Sequence, residues 1–331
     1  MKIHPTRVFL ALALAAFFTA FNLVDAQSVL LVQEGFEDTA VAARGWYDST
    51  GPSVSTSERY AGSSSLECRF TQGGTTCSGG TPGRHLFQAS DSVYFAYYVK
   101  YSSNWVGSGN CCGPHMFYFL TNLDNSYAGP AFNPLTAYVE ENAGRPILAL
   151  QDGKNIDQTR INQNLTAVTE SRSVAGCNGD SDGYGDGECY RLFGADYYNS
   201  KKWYPGGSGV YFDSTPGSQT YKGDWHLVEA FFQLNSIVNG KGAKDGILRY
   251  WYDGNLLMER TNVVLRTGAR ATMKFNQLLV APYMGNGSPV DQRFWVDNLV
   301  VATDRPSPPP PPPSSSSSGL PAAPTNLRIV P

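Results

Sequence analysis

The stretch Gly246-Ile247-Leu248-Arg249-Tyr250-Trp251-Tyr252-Asp253-Gly254-Asn255-Leu256-Leu257-Met258-Glu259-Arg260 decides the fold class. Two runs rich in aromatic and aliphatic residues flank Asp253-Gly254, and such a dipeptide marks a tight hairpin because both central positions of its turn require positive φ. The run before it, residues 225–235, alternates with period two. His226, Val228, Ala230, Phe232 and Leu234 fall on one side, and Trp225, Glu229, Phe231, Gln233 and Asn235 on the other. Runs of this kind recur at 92–101, 115–121, 135–140, 146–151, 274–282 and 293–302, bounded by Gly, Pro, Asn or Asp. No long segment holds a convincing helical period. The expectation is an all-β protein, an antiparallel β-sandwich with long disulfide-stapled loops.

Composition bounds the function. Of 331 residues only 16% are charged, with 25 Lys and Arg against 28 Asp and Glu, so the net charge of -3 gives no reason to expect nucleic acid or an anionic membrane as partner. The first 26 residues combine Lys2 and Arg7, an apolar run over 8–21 and the small-residue exit Val24-Asp25-Ala26. This reads as a secretory signal peptide, and the run is too short for a membrane span. The expected location is therefore extracellular. Residues 306–319, Pro306-Ser307 followed by Pro308 to Pro313, five serines and Gly319, read as a Pro/Ser-rich linker. The stub at 320–331 resembles the opening strand of a fibronectin type III module. The folded unit is accordingly placed at 27–305.

Export puts the six cysteines, Cys68, Cys77, Cys111, Cys112, Cys177 and Cys189, in an oxidising compartment, where bridges are expected. Cys177 and Cys189 bracket a Gly-rich loop and are expected to pair. Adjacent Cys111 and Cys112 diverge, so full oxidation would require them to reach back to Cys68 and Cys77. A Cys68–Cys77 bridge would instead leave the vicinal pair free or strained.

Three stretches carry a family resemblance: Asp224-Trp225-His226-Leu227-Val228-Glu229-Ala230, the hairpin arm 246–254, and Phe294-Trp295-Val296-Asp297-Asn298-Leu299. At their spacing they resemble the concanavalin A-like lectin/glucanase superfamily, and within it the secreted polysaccharide-lyase-like jelly rolls. The resemblance implies a jelly roll over residues 30–303 and an extracellular polysaccharide as partner, met by a monomeric domain. The paired-carboxylate strand Glu-x-Asp-x-Glu of the glucanase branch is absent, which disfavours retaining glycoside hydrolysis. The Arg-Ser-Glu and Gln-x-His strands of alginate lyases are absent too.

The preferred activity is β-elimination from a uronic-acid polymer, which needs a group to neutralise the carboxylate, a base and an acid. Gln151 or Arg249 could neutralise, His115 or His226 abstract, and Tyr138 or Tyr250 donate. Alternation groups His115 with Phe117 and Phe119, Tyr138 with Thr136 and Glu140, and Gln151 with Ile147 and Ala149. His226 lies on an apolar face and reads first as a core histidine, which makes His115 the favoured base. Trp105 and Trp203, in polar surroundings, are the candidate sugar platforms. The rival readings are a non-catalytic carbohydrate-binding module and a structural or adhesive extracellular protein. A separate signal lies between Cys177 and Cys189. Asn178, Asp180, Asp182 and Asp186 with the Tyr184 carbonyl match the spacing of a calcium-wrapping loop, and the expected cofactor is a structural calcium ion.

Overall fold

The computed structural model describes residues 28–48, 51–109, 114–123, 134–142, 144–151, 191–193, 196–198, 200–203, 211–266 and 268–311; for 142, 151, 191–203 and 269 it describes backbone placement alone. In chain order the strands are β1 (Leu30–Glu34), β2 (Trp46–Tyr47), β3 (Ser53–Ser55), β4 (Ser65–Phe70), β5 (Gly83–Ser90), β6 (Ser92–Tyr101), β7 (His115–Thr121), β8 (Thr136–Asn142) and β9 (Arg145–Gln151). The chain continues through β10 (Arg191–Phe193), β11 (Asp196–Tyr198), β12 (Ser200–Trp203), β13 (His226–Gln233), β14 (Ile237–Val238), β15 (Lys241–Gly242), β16 (Gly246–Tyr252), β17 (Asn255–Val263), β18 (Phe275–Tyr283) and β19 (Gln292–Ala302).

Two antiparallel sheets form the sandwich. The first runs β17-β16-β13-β6-β19-β4-β3, with β1 also paired to β19, and the second runs β12-β9-β8-β7-β18-β5-β2. The hairpin at Asp253-Gly254 forms as read: both residues have positive φ, 46° and 79°, and Tyr252 pairs with Asn255. Among the described residues no helix is long and apolar enough to cross a membrane.

Period-two alternation supplies the core. Val93, Phe95, Tyr97 and Val99 of β6 and Val228, Ala230 and Phe232 of β13 point inward from the first sheet. Phe117 and Phe119 of β7, Ala137 and Val139 of β8, Leu148 and Leu150 of β9, and Leu278 and Val280 of β18 meet them from the second. The ring centroids of Phe95 and Phe117 lie 5.0 Å apart, and those of Tyr97 and Phe117 lie 4.5 Å apart. Each such buried aromatic contributes about 1.5–3 kcal/mol through its area, with edge contacts adding more.

The first sheet is apolar on its outer side as well. Tyr94, Ala96 and Tyr98 of β6 cluster there with Leu227, Phe231 and Trp251. Residues 305–311 lie against this side: Arg305 makes a double contact with Glu229, and the Pro311 carbonyl accepts a hydrogen bond from Tyr98. The opening of the Pro/Ser-rich segment is thus packed onto the sandwich.

The cysteine pairing also differs from the full-oxidation expectation. Cys68 bonds to Cys77. The reason is local: after a short loop the chain returns antiparallel to β4, the Ser78 N–H donating to the Arg69 carbonyl at 2.7 Å, which brings Cys77 beside Cys68. Cys111, Cys112, Cys177 and Cys189 lie outside the described residues.

A carboxyl group sits inside the sandwich. Glu141 of β8 faces inward, accepting hydrogen bonds from the Gly144 N–H and from Trp105 Nε1. Burial pushes its carboxyl up to about 7, an effect that these bonds and the Lys222 ammonium only partly offset. Because the folded value lies above the unfolded one, the stabilisation is complete at low pH, below the unfolded value near 4.5, and is lost as pH rises through 7. Stability is therefore expected to fall by on the order of 2–3 kcal/mol between about pH 5 and pH 8. Glu141→Gln should flatten this slope in thermal melts recorded across the range; an equally steep slope in the variant would assign it to another group.

Candidate functional site

The outer face of the second sheet carries a buried cluster of Tyr118, Leu120, Tyr138, Ala149 and Leu279, with the buried polar groups of Arg84 and Glu140 beside it. Strand register places Tyr47, Arg84, Leu279, Tyr118, Tyr138, Ala149 and Lys202 opposite one another, one on each of the seven strands. Neighbouring strands are about 4.8 Å apart, so the Lys202 position is about 10 Å from Tyr138. Gln151, two residues beyond Ala149 and paired with Thr136 and Ser200, takes a position on the same face.

His115 opens β7 at the end of this row. Its Nδ1 contacts the Glu140 Oε1 atom, and its ring centroid lies 5.2 Å from that of Tyr138. Tyr118 completes the group, 4.9 Å from Tyr138, with its hydroxyl donating to the Ala281 carbonyl. Glu140 is buried while the His115 side chain is 29% exposed. With Nδ1–H donating to the carboxylate, Nε2 is the nitrogen able to take a proton, the arrangement by which a carboxylate fixes a histidine's tautomer and ring orientation.

The placement of His115 differs from simple alternation. Phe117 and Phe119 point into the core, and Met116 joins them. His115 points outward. Between Val280/Phe117 and Tyr283/His115 the pairing of β18 with β7 is irregular, three steps of β18 spanning two of β7, so regular sheet geometry ends where His115 begins the strand. On β8 and β9 no slip intervenes, so Tyr138 and Gln151 lie on the expected face.

Other sequence candidates lie elsewhere. Arg249 and Tyr250 belong to β16 of the opposite sheet. Arg249 pairs with Glu259 at 2.7 Å and lies over the Phe231 ring, whereas Tyr250 points inward, wholly buried, its hydroxyl held well above the ordinary range by burial. His226 is a satisfied core residue: Nδ1 meets Asp253 and Nε2 meets the Tyr221 carbonyl, both at 2.8 Å. Trp105 is buried and gives its N–H to Glu141, so it offers no open platform. Trp203 takes a register position opposite core-facing Leu148. The proposed calcium ligands Asn178, Asp180, Asp182, Tyr184 and Asp186 fall outside the described residues, and among the described ones no three His, Cys, Asp or Glu side chains gather for a metal.

Sequence reasoning missed Lys202, Arg84 and the part played by Glu140. Arg84 is buried on the outer face, donating to Gln277 Oε1 at 2.9 Å with its guanidinium over Tyr47. Glu140 was placed on the right face by alternation, but its contact with His115 requires His115 to depart from the alternation of Phe117 and Phe119. Nothing local distinguishes Lys202 from Lys201.

No protein-family model matches this chain, and no curated protein matches it. Solved structures do. The alginate lyase vAL-1 from a Chlorella virus superposes with a TM-score of 0.51 at 12% identity, covering 81% of this chain and 98% of its own. The likeness is one of fold: the two antiparallel sheets form a jelly roll of the kind that this lyase has. Looser superpositions on jelly rolls include the alginate lyase Aly36B (TM-score 0.44, 16% identity, 85% of this chain and 97% of that one) and the PL-14 alginate lyase of Aplysia kurodai (0.43, 13%, 84% and 98%).

Within this jelly roll Trp105 is a structural residue. Trp105→Ala is expected to cost about 3–5 kcal/mol, as large-to-small core changes do, seen as a lower denaturation midpoint. A near-neutral effect would return Trp105 to the surface role inferred from its polar neighbours.

Proposed function

We propose that this chain is a secreted lyase that cleaves a uronic-acid-containing polysaccharide by β-elimination on the outer face of the second sheet. The observation that carries the reading is His115, oriented by buried Glu140, within one ring contact of Tyr138. The fold shared with an alginate lyase and the N-terminal leader-like segment support it.

In this reading His115 Nε2 removes the proton α to the uronate carboxylate. The electron pair forms the ring double bond as the bond to the leaving glycosidic oxygen breaks, and the Tyr138 hydroxyl returns a proton to that oxygen. The carboxylate must be neutralised for the α-proton to become acidic. Lys202 and Gln151, which strand register assigns to the same face, are the residues proposed for this role.

On a panel of uronans the unsaturated product should give rising ultraviolet absorbance. His115→Ala and Tyr138→Phe should each lower kcat/KM by at least 100-fold, general acid–base groups being worth about 10²–10⁴; because Tyr138 is buried, melting midpoints recorded alongside separate lost chemistry from lost folding. Full activity in either variant removes that residue from the mechanism. Absence of any product from the native chain, with retention on insoluble polysaccharide, would replace the lyase by a binding module.

We propose in addition that the loop between Cys177 and Cys189 holds a structural calcium ion through Asn178, Asp180, Asp182, Asp186 and the Tyr184 carbonyl. The support is the spacing of oxygen ligands at alternate positions. Calcium at 100 times its Kd would stabilise the fold by about 2.7 kcal/mol. Thermal melts should therefore shift down on adding chelator, and Asp180→Asn with Asp182→Asn should abolish the shift. Coincident melts with and without chelator would refute the site.

A further inference from the structure

The outer face of the first sheet, remote from His115, contains a wholly buried carboxylate on the side turned away from the core. Glu229 accepts from the Tyr94 hydroxyl at 2.8 Å and from Arg305 Nε and Nη2 at 2.7 and 2.9 Å. Arg305 in turn lies over the Trp251 ring, 4.8 Å from its centroid. A carboxylate so placed is costly unless paired, so Glu229 fixes where the chain leaves β19 and begins its proline run.

Beyond Arg305 the chain meets an aromatic surface. Asp297 accepts from the Tyr60 and Ala61 backbone N–H groups at 2.7 and 3.0 Å, which sets the Tyr60 ring on Tyr98, stacked at 3.7 Å and 14°. Trp225 flanks the pair at 6.0 Å from Tyr60. Against this surface Pro310 is buried although Pro309 and Pro311 are exposed, and the Tyr98 hydroxyl donates to the Pro311 carbonyl at 2.6 Å. Burial holds the Tyr98 phenol well above its ordinary range, so it remains a donor.

These features match the chemistry of a polyproline helix. Consecutive prolines have no N–H to offer and expose strong carbonyl acceptors around a stiff three-residue turn; aromatic faces with a hydroxyl or indole donor recognise such a helix. We propose that the surface formed by Tyr60, Tyr98, Trp225 and Trp251 is a polyproline-binding groove whose occupant is this chain's own segment Pro308 to Pro311, anchored by the Arg305–Glu229 pair. The stiffness of the segment lowers the ordering cost of docking, and the covalent connection makes its effective concentration on the order of millimolar.

The test uses the full chain with Pro308 to Pro313 replaced by serine, leaving Arg305 in place, and an acetylated Ser-Pro₆ peptide as probe. The serine variant should bind the peptide saturably, and the native chain at least tenfold more weakly because its own segment competes. Tyr98→Phe in the serine background should weaken binding several-fold, and a Gly/Ser peptide of equal length should not bind. In fluorotryptophan-labelled protein the Trp225 and Trp251 fluorine resonances should differ between the native and serine chains while the other tryptophans stay in place. The groove is disproved if the serine variant, melting cooperatively, binds no peptide or binds the Gly/Ser control equally. Unchanged Trp225 and Trp251 resonances would overturn it independently, as would a serine variant that gains affinity for polysaccharide but none for oligoproline.

Discussion

Burial of β6 on both faces is the constraint on which the rest of the molecule depends. From Val93 to Val99 every side chain is buried, so the strand needs apolar cover on two sides. The inner side obtains it from the phenylalanines of β7 and thereby sets the second sheet over the first. The outer side obtains it from Leu227, Phe231 and Trp251, with Tyr60 stacked on Tyr98. Each cover brings a polar group that must be satisfied under it: Glu141 between the sheets and Glu229 on the outside. The two acids are handled differently, Glu229 by a fixed guanidinium and Glu141 by neutral donors that leave its proton affinity high.

The candidate site depends on the same layering. Its row of residues is presented by central strands of the second sheet, whose reverse sides are locked into the core by Phe117, Val139 and Leu148. Strands held in this way position side chains more tightly than loops do. Glu140 and Glu141 divide the labour of β8: adjacent in sequence, they project to opposite faces, one to orient His115 and the other to accept the Trp105 N–H.

Much of this architecture could be read from local pattern. The Asp253-Gly254 turn, the inward faces of β8, β9 and β13 and the core placement of His226 all arise from period and turn chemistry within a dozen residues. What could not be read depends on partners distant in the chain. His115 leaves the alternation of its own strand at the point where the pairing with β18, more than 150 residues away, becomes irregular. Arg249 and Tyr250 have suitable chemistry on a strand of suitable pattern, but sheet membership is decided by β13 and β17 on either side. Trp105 sits among polar residues in sequence and among aromatic rings in space, those of Phe70, Tyr101 and Phe294. Composition likewise marks the proline run as linker without disclosing that Glu229 waits for Arg305.

The position of Pro311 has a bearing on traffic around the molecule. The proline run crosses one flank of the sandwich, and the His115–Glu140 pair opens on the other, with both sheets between them. Whatever meets the exposed edge of His115 is therefore separated by the full thickness of the sandwich from residues 305–311, so the two faces can be occupied independently.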